Sequence, residues 1–216
     1  MPGQQLQTSA FILSRQPSGS DAFEQLAVFS SEHGTLLCLT RAPKLNAAVS
    51  SRRSSAPRNE GRLDLFDEAE LSLESTNQGR TWFIKEHRLI RRHDGIGRSY
   101  DALKAAAAFA TLISRNAVPD ESREPITELL RNTFTALGAG GRPDIVWLKA
   151  LFRFLRDEGY PAKQQWWPQL AAADRDAAAL LLNQPLAAQT ADAVTVTRLT
   201  RQLEDWVRGE TELRLG

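Results

Sequence analysis

Cys38 is the only cysteine in the chain of 216 residues, so it supports neither an intrachain disulfide nor a zinc site built on two or more thiolates. Histidine is almost as scarce. His33, His87 and His93 stand too far apart in sequence to suggest a metal site, and His33 falls in a turn where a polar residue needs no further reason. Phosphate loops of the GxxxxGK[ST] kind are missing, as are GxSxG, HExxH and repeated acidic calcium loops. The expectation is a protein that is not an enzyme and uses no cofactor. No stretch reaches the roughly 18 uninterrupted apolar residues of a membrane span, and the opening MPGQQLQTSAFIL has no basic run leading into a long apolar one. A cytoplasmic location with no membrane partner follows as the default expectation. Hydrophobic residues make up 42% of the chain, enough to support a packed core.

Net charge is only +1, which argues against binding a polyanion over the whole surface. The distribution is uneven. Residues 41–62 hold Arg41, Lys44, Arg52, Arg53, Arg58 and Arg62 against the single acid Glu60, a local balance of +5. This segment, with its Ser, Arg, Pro and Asn, has no apolar period and reads as a long loop. Clustered cations on a flexible connection suit a phosphate backbone, because each neutralised phosphate releases counterions. A purely solubilising loop is the alternative.

Before residue 92, short apolar runs predict five strands, at 6–14, 24–30, 34–41, 63–73 and 81–90. Turns are expected at Glu32-His33-Gly34 and Asn77-Gln78-Gly79. In 63–73, Leu63, Leu65, Ala69, Leu71 and Leu73 share one face, and Phe66, Glu68, Glu70 and Ser72 the other. Asp67 breaks that alternation. Five strands are the number that closes an OB-type barrel. Arg41, Lys44, Arg52, Arg53, Arg58 and Arg62 are therefore candidate nucleic-acid contacts, with Lys85 and Arg88 of the fifth strand beside them. Cys38, between Leu37 and Leu39, reads as a small buried hydrophobe.

From residue 93 onward the pattern turns helical, so the expected fold is α+β: a five-stranded OB-fold barrel over 1–92, then an all-helical domain over 93–216. Helices are predicted at 99–116, 122–137, 144–158, 168–182 and 195–208, the second and third stopped by Gly138 and Gly159. The glycine-rich LGAGGRP at 137–143 is read as a helix stop rather than a phosphate cradle. In 144–158, Leu148, Leu151, Phe152 and Leu155 form the expected buried stripe, with Lys149, Arg153 and Arg156 on a neighbouring one. Trp166 and Trp167 read as core anchors.

Several stretches, taken in order, resemble RecO, a bacterial recombination mediator. FILSRQPSGSDAFEQLAVFSSEHGTL resembles the family's opening hairpin and GRLDLFDEAELSL its fourth strand. RFLRDEGYP at 153–161 is similar to the family's Arg…Gly-Tyr-x-Pro pattern, and 205–215 to its last helix and tail. No cysteine follows Pro161, so the four-cysteine zinc module of many family members has no ligands here. The resemblance implies a barrel that binds single- and double-stranded DNA, promotes annealing and, with RecR, helps load RecA onto DNA covered by single-strand binding protein, near the nucleoid. It also implies that the helical domain holds the acidic, phenylalanine-ended tail of single-strand binding protein, with Arg153 matching the family's arginine; helical spacing sets Lys149, Phe152 and Arg156 beside it, and a solvated face is the alternative. The competing readings are an RNA-binding barrel, a scaffold that binds only protein, and a hydrolase assembled from distant residues.

Overall fold

Alternation with a period of two, seen in Leu26 and Val28 and again in Leu71 and Leu73, turns one face of each strand inward and commits the first part of the chain to β-structure. The computed structural model describes residues 3–42, 62–75 and 77–215. It divides into two compact units, Met1–Arg92 and His93–Gly216, a five-stranded sheet followed by six helices. The strands are β1 (Gln4–Pro17), β2 (Phe23–Ser30), β3 (Gly34–Arg41), β4 (Glu68–Ser75) and β5 (Trp82–Arg91). They close into a barrel in the order β1-β2-β3-β5-β4, with β4 returning to β1. Among the described residues only the β3–β5 contact is parallel, and it is short, Cys38 and Leu39 against Trp82 and Phe83. The interior is filled by Ile12, Leu26, Val28, Cys38, Leu71, Leu73 and their neighbours.

β1 serves two partners, and that explains its length. Gln4 to Phe11 pair with β4, while Ala10 to Pro17 pair with β2, and the register slips between Ile12 and Ser14. Such a bulge bends the strand, so it continues past the 14th residue, where the alternation alone would end it.

The fourth strand begins five residues later than its alternation predicts. Residues 64–67 make a turn, with Phe66 at φ 69° and buried while Leu65 is 37% exposed. The cause is Asp67. Its side chain is buried and accepts hydrogen bonds from Arg92 Nε at 3.2 Å, Arg92 Nη2 at 3.0 Å and the Asp64 amide at 2.8 Å. On the backbone, Phe66 N donates to Ile12 O and Ile12 N to Asp67 O, which joins the turn to the bulge of β1. Phe66 is therefore buried, although the alternation places it on the solvent side, and it is not part of the barrel's interior cluster.

The second unit comprises α1 (Tyr100–Arg115), α2 (Arg123–Gly138), α3 (Pro143–Asp157), α4 (Ala162–Gln169), α5 (Ala172–Asn183) and α6 (Ala193–Glu210). Ser99 and Asp192 cap α1 and α6, accepting from Ala102 N and Thr195 N. α3 packs against α1, α2, α4, α5 and α6, so its buried set spreads around the helix: Ile145, Val146, Leu148, Leu151, Phe154 and Leu155. A single stripe is too narrow a description for a surrounded helix. Phe154 takes the interior place expected for Phe152, which is half-buried and packs on Trp166 at 6.0 Å between ring centroids. Gly159, at φ 78°, ends α3 in a Schellman turn: Tyr160 N donates to Leu155 O and Gly159 N to Arg156 O.

The predicted helix at 168–182 is α5, which starts four residues later, and α4, which sequence analysis did not predict, precedes it. Pro168 lies in the last turn of α4, where it removes an amide donor, and Leu170 turns extended with its side chain buried before α5 starts. α2 ends at Gly138, and the left-handed residue beyond it is Gly140. The close approach here constrains Gly95, because a Cβ built on it would lie 1.8 Å from the Gly138 carbonyl oxygen. Among the described residues no helix is long and apolar enough to cross a membrane.

Two stability predictions follow from these contacts. Arg92→Ala strands a buried carboxylate and should cost about 3 kcal/mol in urea unfolding; an unchanged midpoint would show the ion pair to be dispensable. Gly95→Ala should destabilise by at least about 2 kcal/mol because it forces backbone apart, whereas Gly138→Ala, whose new methyl group meets nothing closer than 3.9 Å, should be tolerated. Equal melting temperatures for the two glycine variants would contradict that packing.

Candidate nucleic-acid interface

The predicted cations fall into three groups. Lys44, Arg52, Arg53 and Arg58 lie outside the described residues. Arg41 and Arg62, the described residues that flank them, are both exposed. Arg41 closes β3 opposite Phe23 and has no ion pair among the described residues. Arg62 donates to Glu24 at 2.8 Å, and Glu24 also pairs with Arg15 at 3.2 Å. Arg15 in turn donates to the Leu63 carbonyl at 2.8 Å, and Arg92 to the Arg62 carbonyl at 2.8 Å. At the other end, Ala42 N donates to Ala22 O at 2.9 Å. Ala42 and Arg62, the described residues on either side of 43–61, thus lie beside Ala22 and Glu24, at the start of β2.

Lys85 and Arg88 form the third group, on β5. Lys85 reaches Glu74 at 2.6 Å, and Arg88 forks onto Glu70 with Nε at 2.9 Å from the carboxylate. The Arg88 hydrogen bond holds the Glu70 carboxyl below its usual range, and the same bond strengthens the guanidinium's hold on its proton. Both cations are matched across the strand by carboxylates of β4. Beside them a groove of about 500 Å³ is lined by Ser9, Ser72, Glu32, Glu70, Glu86 and Arg88 among others. Carboxylates outnumber cations there, so this face is a poor one for a phosphate backbone.

The outer face of β2 and β3 is different. Leu26, Val28 and Cys38 point to the core, so the intervening Phe23, Gln25 and Ala27 of β2 and Leu37, Leu39 and Arg41 of β3 stand outward. Phe83 of β5 lies in register with Leu39. The rings of Phe23 and Phe83 meet across β3, 5.8 Å apart and edge to face at 74°. Both are half-buried, and Leu37 is 38% exposed. Sequence analysis passed over Phe23 and Phe83. The available signal was parity, since once Leu26 and Val28 are inward Phe23 must face out. Arg80, exposed and without an ion pair among the described residues, precedes Phe83 by three positions and was also passed over.

In the helical unit, Lys149 does not stand with the other candidates. Its ammonium donates to the carbonyls of Leu181 at 3.0 Å and Gln184 at 2.6 Å, completing the C-terminus of α5 where a cation is favoured. Burial pushes its pKa below the ordinary lysine value. Arg153 and Arg156 are exposed, and both pair with Asp157, at 3.4 Å and 2.6 Å. Phe152 lies next to them against Trp166. Trp166 is buried and Trp167 half-buried, their rings 6.0 Å apart, so the pair anchors the core as its sequence suggested.

Chemistry beyond binding finds little material. No group of three or more His, Cys, Asp or Glu side chains that could hold a metal ion occurs among the described residues. Cys38 is fully buried, and burial pushes its thiol up to about 12, which keeps it protonated at neutral pH. What the first unit offers is an apolar, partly aromatic strand face with cations at its margin. No family model matches the chain, and no curated protein matches it.

Proposed function

We propose that the chain is a non-catalytic DNA-binding protein of the RecO type, a recombination mediator whose barrel is an OB-fold. The observation that carries this reading is the outward aromatic pair of Phe23 and Phe83, with the exposed Arg41 directly opposite Phe23. Phosphate binding needs cations, which the sequence concentrates between Arg41 and Arg62, and unpaired bases favour aromatic surfaces, which the described strands supply. The closed strand order, with its single parallel contact between β3 and β5, supports the OB assignment. On this reading the barrel binds single- and double-stranded DNA and promotes annealing by neutralising the two backbones. Together with RecR the protein would help load RecA onto strands covered by single-strand binding protein, in the cytoplasm at the nucleoid. The mechanism is competition between binding equilibria, with no bond made or broken.

The helical unit is assigned the partner contacts. Phe152, Arg153 and Arg156 supply an apolar surface and two exposed guanidinium groups, the chemistry that an acidic tail ending in an aromatic residue requires. Lys149, occupied with the end of α5, is left out of that contact.

With about four phosphates neutralised, the slope of log affinity for single-stranded DNA against log salt should be near −3, and replacing Arg52, Arg53 and Arg58 by alanine should reduce its magnitude by about 2. Replacing Lys85 and Arg88 should leave it almost unchanged, because Glu74 and Glu70 already neutralise them. An unaltered slope in the triple variant would remove the basic segment from the interface, and stronger binding to a matched RNA strand would move the protein out of DNA metabolism. For the helical unit, Arg153→Glu should weaken binding of a tail peptide of single-strand binding protein by at least ~1.5 kcal/mol, about the loss of one charge-assisted hydrogen bond. Naked-DNA affinity should stay within about a factor of two. Calorimetry showing equal peptide affinity for variant and wild type would count against the tail site.

A further inference from the structure

We propose that the end of α1 at Asn116 is a docking site for an extended peptide with apolar side chains at alternate positions, and that the chain's own residues 212–215 occupy it as an exchangeable strap. Nothing in this site depends on the binding of DNA. α1 stops at Arg115, and Asn116 follows with extended backbone, φ −117° and ψ 143°. Its side-chain amide is oriented by its own helix, because Nδ2 donates to the Leu112 carbonyl at 2.6 Å. The same Nδ2 donates to the Arg214 carbonyl at 3.2 Å, and Arg214 N donates to Oδ1 at 3.0 Å. One carboxamide thus holds both the amide and the carbonyl of a residue 98 positions away. These are main-chain bonds, so they do not depend on which side chain that residue carries.

The segment sits as a bound peptide sits, with main-chain bonds for affinity and alternate side chains for selection. Leu213 is buried and Leu215 half-buried, while Glu212 and Arg214, which alternate with them, are exposed. α6 does not need the segment. That helix is closed by Thr211, whose amide and hydroxyl both donate to the Val207 carbonyl, at 3.1 Å and 2.7 Å. Beyond Thr211, the hydrogen bonds that residues 212–215 make to other elements among the described residues are the two at Asn116. Two neutral hydrogen bonds and one buried leucine offset the entropy of ordering four residues only narrowly, so the strap opens far more often than the helices unfold. Asn116, held by Leu112, keeps its geometry when the strap leaves. The open site asks for an N–H and a C=O from one extended residue, flanked by a side chain that fills the recess of Leu213, and a peptide of that pattern supplies both.

Hydrogen exchange of the full wild-type chain tests the strap, and peptide binding tests the site. The amides of Leu213 and Arg214 should exchange at least about 100-fold faster than those of Leu199 and Leu203 in α6, the signature of local opening. Equal protection would mean that the segment opens only with the whole helical unit, and would overturn the proposal. Leu213→Ser and Arg214→Pro open the strap in different ways, one by removing the buried leucine, the other by removing the amide that donates to Asn116. A labelled peptide Thr-Glu-Leu-Arg-Leu, blocked at both ends, should bind each opened variant at least about tenfold more tightly than the wild type, where it must displace the strap. Adding Asn116→Ala to Arg214→Pro should abolish that binding. Should one opened variant fold poorly, the other gives the reading, and the exchange measurement needs neither. Opened variants that melt like the wild type yet do not bind the peptide would sink the site. A wild-type dimer in sedimentation that the peptide dissociates would place the segment in the site of a second copy and overturn a strap within one chain.

Discussion

The buried ion pair between Asp67 and Arg92 is the constraint on which the barrel depends. Asp67 is 1% exposed, and the guanidinium and the Asp64 amide together give its buried carboxyl three donors. The pair joins residues 25 apart in sequence and settles a specific problem: where the chain re-enters the sheet after the long segment 43–61. Arg92 also holds the Arg62 carbonyl, so one side chain fixes both the returning backbone and the turn that follows. From there Phe66 and Asp67 bond to Ile12 at the bulge of β1, and β4 starts in the register that closes the barrel onto β1. An apolar pair of similar volume could fill the space, but it would not direct three hydrogen bonds to one turn. Conformational specificity is the reason we assign to the charge here.

Closure then determines which residues face out, and the two outer faces meet water in different ways. On β4 and β5, cations and carboxylates alternate across the strands and neutralise one another, as expected of a face adapted to solvent. On β2 and β3 the outward set is largely apolar, and of the cations at its margin Arg62 pairs with Glu24 while Arg41 has no carboxylate partner among the described residues. Positive charge in the sequence is therefore not equally available. Lys85 and Arg88 are matched within the sheet, and Arg62 is matched by Glu24.

Much of the fold was legible because most of the barrel obeys local rules. β2 and β3 fall within a residue of the spans their alternation predicts, and Gly159 ends its helix as expected. The failures come from non-local causes. Asp67 looked like a flaw in a strand because Arg92, which makes it a turn, sits far along the chain. Phe152 was placed in the core and Phe154 overlooked because a single-stripe rule assumes one buried face, whereas α3 has neighbours on most sides. The site was less legible than the fold. Charge can be counted in a sequence, but the carboxylates that cancel Lys85 and Arg88 come from another strand, and the carbonyls that occupy Lys149 come from another helix. The aromatic pair escaped because Phe23 and Phe83 are 60 residues apart and meet only when β3 lies between their strands.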